Sequence, residues 1–187
     1  RANFDAALTA LRKEWGPNIA PLQIPIGTGE GFKGVIDILN MKAYTYAMDG
    51  NGKATVGDVP DDMLEETNSA REQLIEAVAS TDDDLLEKFF DAGELSEQEV
   101  TNGLKAAVAN GGLVPVVCGT PTGNAGSDVL MDVLANIGPS PADVSPPKAL
   151  DADGNEVSIQ TDGKAPFVGI IFKAVYMEMG KVSFIRS

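Results

Sequence analysis

The period of the hydrophobic positions changes several times along the chain, and each change predicts a new element. Phe4, Leu8, Leu11 and Trp15 are spaced by four, three and four residues. That single apolar stripe predicts an opening helix, which Gly16-Pro17 stops. Residues 22–26 (LQIPI) read as a strand, and the alternating, β-branched VIDIL at 35–39 as another. Residues 41–47 and 53–56 predict a hairpin across Asp49-Gly50-Asn51-Gly52. From Pro60 the period turns helical, with Met63, Leu64, Thr67, Ala70, Arg71, Leu74, Ile75 and Val78 on or beside one face. Asp61, Asp62, Glu65 and Glu66 occupy its first turns, where the helix dipole favours carboxylates. Thr81 and Asp84 form a capping-box-like pair ahead of Leu85, Leu86, Phe89 and Phe90. Ser96 and Glu99 form a second box, opening a helix with Val100, Leu104, Ala107 and Val108 inward and Gly111-Gly112 closing it.

The stretch 113–141 organises the rest. Residues 113–117 (LVPVV) suit a buried strand and are too few for a helix. Cys118, Gly119, Thr120, Pro121, Thr122, Gly123 and Asn124 then predict a loop, being small, polar or restricted in φ. Ser127 is a candidate N-cap for a helix carrying Val129, Leu130, Val133, Leu134 and Ile137, ended by Gly138 and Pro139. A strand, loop and helix in that order are a unit of an α/β sheet. Such sheets bind ligands at the carboxyl ends of their strands, which makes the loop at 118–124 the first candidate site.

Residues 142–164 read as a Pro-rich linker between domains. Asp151, Asp153, Asn155 and Glu156 lie in the wrong register for a calcium loop, with Gly154 fourth rather than sixth, so a turn is expected. Residues 165–187 alternate as two strands around Met179-Gly180. A hairpin is marginal alone, so it is expected to belong to a larger β domain.

Charge and composition narrow the chemistry. The 187 residues suit one large or two small domains, and a formal net charge of -14 disfavours a sequence-specific nucleic-acid groove. The absence of histidine removes Ser-His triads, His-zinc sites and His general bases. One cysteine cannot form an internal disulfide, which fits a cytoplasmic location, and no apolar run is long enough to span a membrane. Gly29, Gly31 and Gly34 satisfy G-x-G-x-x-G, but a strand follows where the dinucleotide fingerprint needs a helix. Asp82, Asp83 and Asp84 are expected to cap a helix, because consecutive carboxylates cannot converge on one metal ion.

Several short segments, in order, then carry a resemblance. Pro25-Ile26-Gly27, Phe32, Gly34-Val35-Ile36-Asp37 and Met41-Lys42-Ala43 resemble the insert in the GTP-binding domain of the elongation factor G family of bacterial translational GTPases. Val116, Val117, Cys118, Gly119, Thr120 and Pro121 are similar to the family's fifth guanine-nucleotide motif, a strand ending in Cys-Gly-Ser-Ala. Asn124-Ala125-Gly126 and the helix ending in Pro139-Ser140-Pro141 resemble the part that follows. Residues 165–169 (APFVG), Phe172, Lys173 and residues 180–186 (GKVSFIR) resemble the first strands of the family's β-barrel second domain. The resemblance covers essentially the whole chain.

It implies a P-loop GTPase-like partial sheet with an inserted α+β subdomain, followed by the first strands of a barrel. Residues 1–141 would be the end of the GTP-binding domain, with the insert at about 24–112. The chain is then expected to start just after the Asn-Lys-x-Asp motif. The P-loop, switch regions, catalytic histidine and magnesium ligands would lie upstream, and no G-x-x-x-x-G-K-[ST] occurs here. GTP or GDP would bind in the full-length parent, with Cys118, Gly119, Thr120 and Pro121 as the guanine-side residues. The isolated segment is expected to be inactive. Family members place Ser-Ala where this chain has Thr120-Pro121, and Pro121 has no N–H to donate to the guanine carbonyl. Either Thr120 and Gly119 supply the donors, or this member binds nucleotide more weakly.

The acidic helices between 61 and 110 would belong to the insert, which in the family faces the ribosomal stalk protein. Glu65, Glu66, Glu72 and Glu76 would steer a basic partner if they point outward. Two alternatives stand beside this reading: a fragment of a paralogous ribosome-associated GTPase, and a free-standing acidic interaction module.

Overall fold

Asn3 opens the first helix by accepting the Ala6 N–H on its side chain at 2.9 Å. In the computed structural model, which describes residues 2–47, 51–146 and 148–186, this helix, α1, spans Phe4–Trp15. Phe4, Leu8 and Leu11 are half-buried as the stripe predicts, whereas Trp15 stays 66% exposed. Strand β1, Ile19–Pro21, follows at once. The pattern gave no sign of it, because three residues ending in proline are too short to show a period.

Strand β1 runs parallel to β6, Val114–Val116, with Ile19 opposite Val114 and Pro21 opposite Val116. Leu22 then changes sheets. Its N–H donates to Val116 O at 2.9 Å, and its carbonyl accepts from the Ile38 N–H at 3.0 Å. Between the two parallel strands in the sequence comes a four-stranded antiparallel sheet of β2 (Gln23–Ile26), β3 (Gly34–Asp37), β4 (Lys42–Tyr46) and β5 (Ala54–Asp58), in that order. The β4–β5 hairpin forms as expected, although Asp49 and Gly50 of its predicted turn lie outside the described residues. No helix opens at Gly34. It is a strand residue on which an added Cβ would lie 2.0 Å from Tyr44 O, so its glycine serves strand packing rather than a phosphate.

Three helices follow: α2 (Leu64–Ala79), α3 (Asp83–Ala92) and α4 (Glu97–Asn110). Leu74 and Val78 of α2 and Leu104 and Ala107 of α4 form one core with Ile24, Ile36 and Ile38 of the sheet region. Truncating the fully buried Leu104 to alanine would cost about 2–5 kcal/mol. The cap of α3 differs from the expected Thr81–Asp84 pair. Asp82 accepts the Leu85 N–H at 3.0 Å, while the Thr81 hydroxyl donates back to Val78 O. Asp82 heads the acidic triplet, which therefore caps a helix. The Ser96–Glu99 box is complete, and Gly111, left-handed at φ 78, closes α4.

Helix α5, Ser127–Asn136, leaves the loop after β6. Ser127 is its first helical residue and not its cap. Gly126 takes the cap position at φ 89, a left-handed conformation that suits glycine, and contributes no side-chain cap.

The chain divides into two compact units, Arg1–Gly138 and Pro139–Ser187. In the second unit, β7 (Ala149–Leu150) and β8 (Glu156–Val157) pair across a turn held by Asp151. The Asp151 carboxylate accepts the N–H groups of Asp153 and Asn155, both at 2.9 Å, which sets the geometry of the turn. Strands β9 (Ile170–Met177) and β10 (Gly180–Arg186) form the expected antiparallel hairpin, with a register shift between Phe184 and Ile185. The described residues close no barrel, and the fold is mixed α and β, with one parallel pair and antiparallel sheets.

Candidate functional site

The loop predicted from sequence begins where β6 ends and finishes at the cap of α5. Its tip is open to solvent: Gly119, Pro121, Thr122 and Asn124 are exposed and Thr120 is half-buried. Its base is not. Ala125 is 1% exposed, and Cys118 packs with Ala125 and Val129 against Val35, Tyr44, Tyr46 and Ala54 of the antiparallel sheet.

Backbone hydrogen bonds fold the loop on itself. The Thr120 N–H donates to Ala125 O at 2.9 Å, and the Ala125 N–H returns to Thr120 O at 3.1 Å. The Asn124 N–H reaches Pro121 O at 3.3 Å, and Asn124 is left-handed at φ 48. The Thr120 and Thr122 hydroxyls lie 3.3 Å apart. Of the two donors open from sequence, Thr120 has therefore given its N–H to the loop itself, and Gly119 remains. Thr120 still presents its hydroxyl.

Three residues outside the loop hold it, and none was singled out from sequence. Gln23 is 1% exposed, and its Oε1 accepts the Cys118 N–H at 3.1 Å. The Tyr46 hydroxyl donates to Asp128 Oδ1 at the start of α5. Burial, and then that hydrogen bond to a carboxylate, raise the Tyr46 phenol above its ordinary pKa, so it remains a donor. The signal for Gln23 was a lone amide inside the apolar run 22–26. Burial also pushes the Cys118 thiol up to about 12, which keeps it neutral and poorly nucleophilic.

A cleft of about 450 Å³, which shares Gln23 and Tyr44 with the support of the loop, is also lined by Asp37, Lys105 and Asp132. Tyr44 is raised first by burial and then by the charges of Asp37, Asp132 and Asp128. Among the described residues, no group of three or more His, Cys, Asp or Glu side chains is arranged to hold a metal ion. None of their helices is long and apolar enough to cross a membrane.

No family model matches the sequence. The fold does match a crystal structure of a protein from Thermus thermophilus, which carries only a systematic designation, at 26% identity and a TM-score of 0.77. That match covers 100% of this chain and 25% of the other, so the chain spans about a quarter of its neighbour's length.

Proposed function

We propose that this chain is the back half of the GTP-binding domain of a translational GTPase of the elongation factor G type, with its inserted subdomain and the first strands of the next domain. The observation that carries this reading is the loop at 118–124: its tip is exposed at the carboxyl end of a parallel strand, and a helix departs directly from it. A neighbour about four times as long and similar over this whole chain supports the reading of a segment within a larger protein.

In this reading Cys118, Gly119, Thr120 and Pro121 form the guanine-side wall, and the nucleotide's phosphates and magnesium are held by residues upstream. Gly119 supplies the backbone donor, the Thr120 hydroxyl a second polar contact, and Pro121 a surface without a donor. GTP supplies the phosphoanhydride bond whose hydrolysis moves tRNA and mRNA through the ribosome. The residues here only bind and orient the base. The partners are the rest of the GTPase and the ribosomal stalk protein, in the cytoplasm. The stalk contact is assigned to α2, whose Glu65, Glu66, Glu72 and Glu76 are all exposed.

The test is nucleotide binding by the full-length protein beside the isolated 187-residue chain. The full-length protein is expected to bind fluorescent GDP and release it to excess GTP but not ATP, while calorimetry on the isolated chain detects neither nucleotide. Micromolar GTP binding by the isolated chain, or no guanine preference in the full protein, would overturn the reading.

A further inference from the structure

The loop at 118–126 hangs from a strand of the parallel pair and is folded by its own backbone hydrogen bonds, yet side chains of the antiparallel sheet tie down both of its ends. Gln23 of β2 reaches across 95 positions to accept the Cys118 N–H at 3.1 Å. Tyr46 of β4 reaches across 82 positions to donate to Asp128. Gly52, before β5, lies so close that an added Cβ would stand 2.4 Å from the Asn124 amide nitrogen. Val35, Tyr46, Ala125 and Val129 form one buried cluster, with Cys118 packed against it. The loop thus has an anchor at its entry and another at its exit, both from one sheet, and a close backbone neighbour near its tip in the segment that leads into that sheet.

We infer that Gln23 and Tyr46 are positioning residues: they hold the backbone of the 118–126 loop in the one conformation that presents Gly119 and Thr120 to a purine. The inference rests on the guanine reading of the loop. Neither residue touches the ligand. Gln23 acts through the Cys118 peptide, which sets the direction of the next N–H, that of Gly119. Tyr46 acts through Asp128, which fixes where α5 begins and so where the loop must end. The antiparallel sheet is thereby a determinant of nucleotide residence, and anything that strains it is transmitted to the base.

Two measurements on the full-length protein test this: amide hydrogen exchange in the peptide containing Thr120 and Ala125, and the dissociation rate of fluorescent GDP. The variants are Gln23→Met, which keeps the volume and removes the acceptor, and Tyr46→Phe, which removes only the hydroxyl. Each is expected to accelerate both exchange and GDP release about tenfold, the scale of one lost hydrogen bond. Asp128→Asn keeps an acceptor for Tyr46 and is expected to behave as wild type. Lys42→Ala, which breaks the surface pair with Asp58 on the same sheet, serves as the control and is expected to change neither rate. Unchanged exchange in both variants overturns the anchoring. Faster exchange with unchanged GDP release overturns the link to the purine. Wild-type protein that binds no GDP overturns the guanine reading itself, and the inference with it.

Discussion

Thr120 and Ala125 exchange both of their backbone hydrogen bonds, at 2.9 Å and 3.1 Å, and so close the candidate purine loop into a miniature antiparallel bridge. The Thr120 N–H is then unavailable to a ligand, and Pro121 has none to offer. Replacing Pro121 with alanine restores one donor at the exposed tip. The expected result in the full-length protein is GDP binding tighter by about tenfold, within the range for a hydrogen bond to an otherwise unpaired acceptor. Equal GDP affinity of the two proteins would mean that position 121 does not face the base.

The same bridge brings two backbones close together. A Cβ on Gly126 would lie 2.8 Å from Cys118 O, and its φ of 89 is one that side chains rarely adopt. Gly126→Ala is therefore expected to destabilise the chain by about 1–3 kcal/mol. Urea denaturation followed by far-ultraviolet circular dichroism would measure this, and an unchanged midpoint would show that the loop opens at little cost.

Cys118 gives a probe of that opening. Its thiol is held up to about 12 from an ordinary value of 9.0, because burial disfavours the thiolate. At pH 8 the thiolate fraction is on the order of one in ten thousand, so alkylation of the folded chain should lag far behind that of the urea-unfolded chain. Keeping the thiol neutral stabilises the fold fully below pH 9, and this contribution is lost as pH rises from 9 towards 12. Equal alkylation rates in folded and unfolded protein would place Cys118 in solvent.

Much of this arrangement is legible in the sequence where a local rule decides the outcome. The Ser96–Glu99 box and the strand, loop and helix after Leu113 follow from residue type and spacing alone. Strand β1 does not, because Ile19, Ala20 and Pro21 become a strand only by finding Val114, Pro115 and Val116 far along the chain. The caps at Asp82 and Gly126 displaced Thr81 and Ser127 by one position. Ser, Thr and Asp compete for the same role, and a left-handed glycine can replace them all. The loop's position was visible, but its anchors were not. Gln23 and Tyr46 act through contacts 95 and 82 positions away, which no periodicity encodes.

The α4 cap carries its own pH dependence. Glu99 is lowered from 4.5 to about 2, first by its hydrogen bond to Lys88 and then by the Ser96 side chain and backbone. A depressed carboxyl stabilises the fold above its unfolded value and loses that contribution as pH falls through the folded one. The window is therefore pH 4.5 down to 2. Ser96→Ala should cost about 1 kcal/mol at neutral pH. Lys88→Ala, which removes the first of those partners, should flatten the wild-type loss of thermal stability across that window, and Ser96→Ala should flatten it less. A variant that keeps the wild-type slope would assign the acid transition to other carboxylates.

The acidic face of α2 makes the proposed stalk contact testable without a nucleotide. Glu65 and Glu72 share an exposed, shallow surface with Asp61 and the 42%-exposed Leu64, while Leu74 and Val78 face the core. Carboxylates outside and aliphatics inside give the helix one surface on which a basic partner can lie. Attraction between exposed charges weakens as salt rises, because the Debye length falls from about 10 Å at 0.1 M to about 3 Å at 1 M. Binding of the proposed stalk partner through a basic patch is therefore expected to weaken steadily with added salt. The double substitution Glu65→Gln and Glu72→Gln should weaken it further and flatten its salt dependence, leaving the thermal midpoint nearly unchanged because both side chains lie in solvent. Surface plasmon resonance at several salt concentrations provides the measurement. Wild-type binding that ignores salt, or a double variant that binds as well as its parent, would move the contact off this helix.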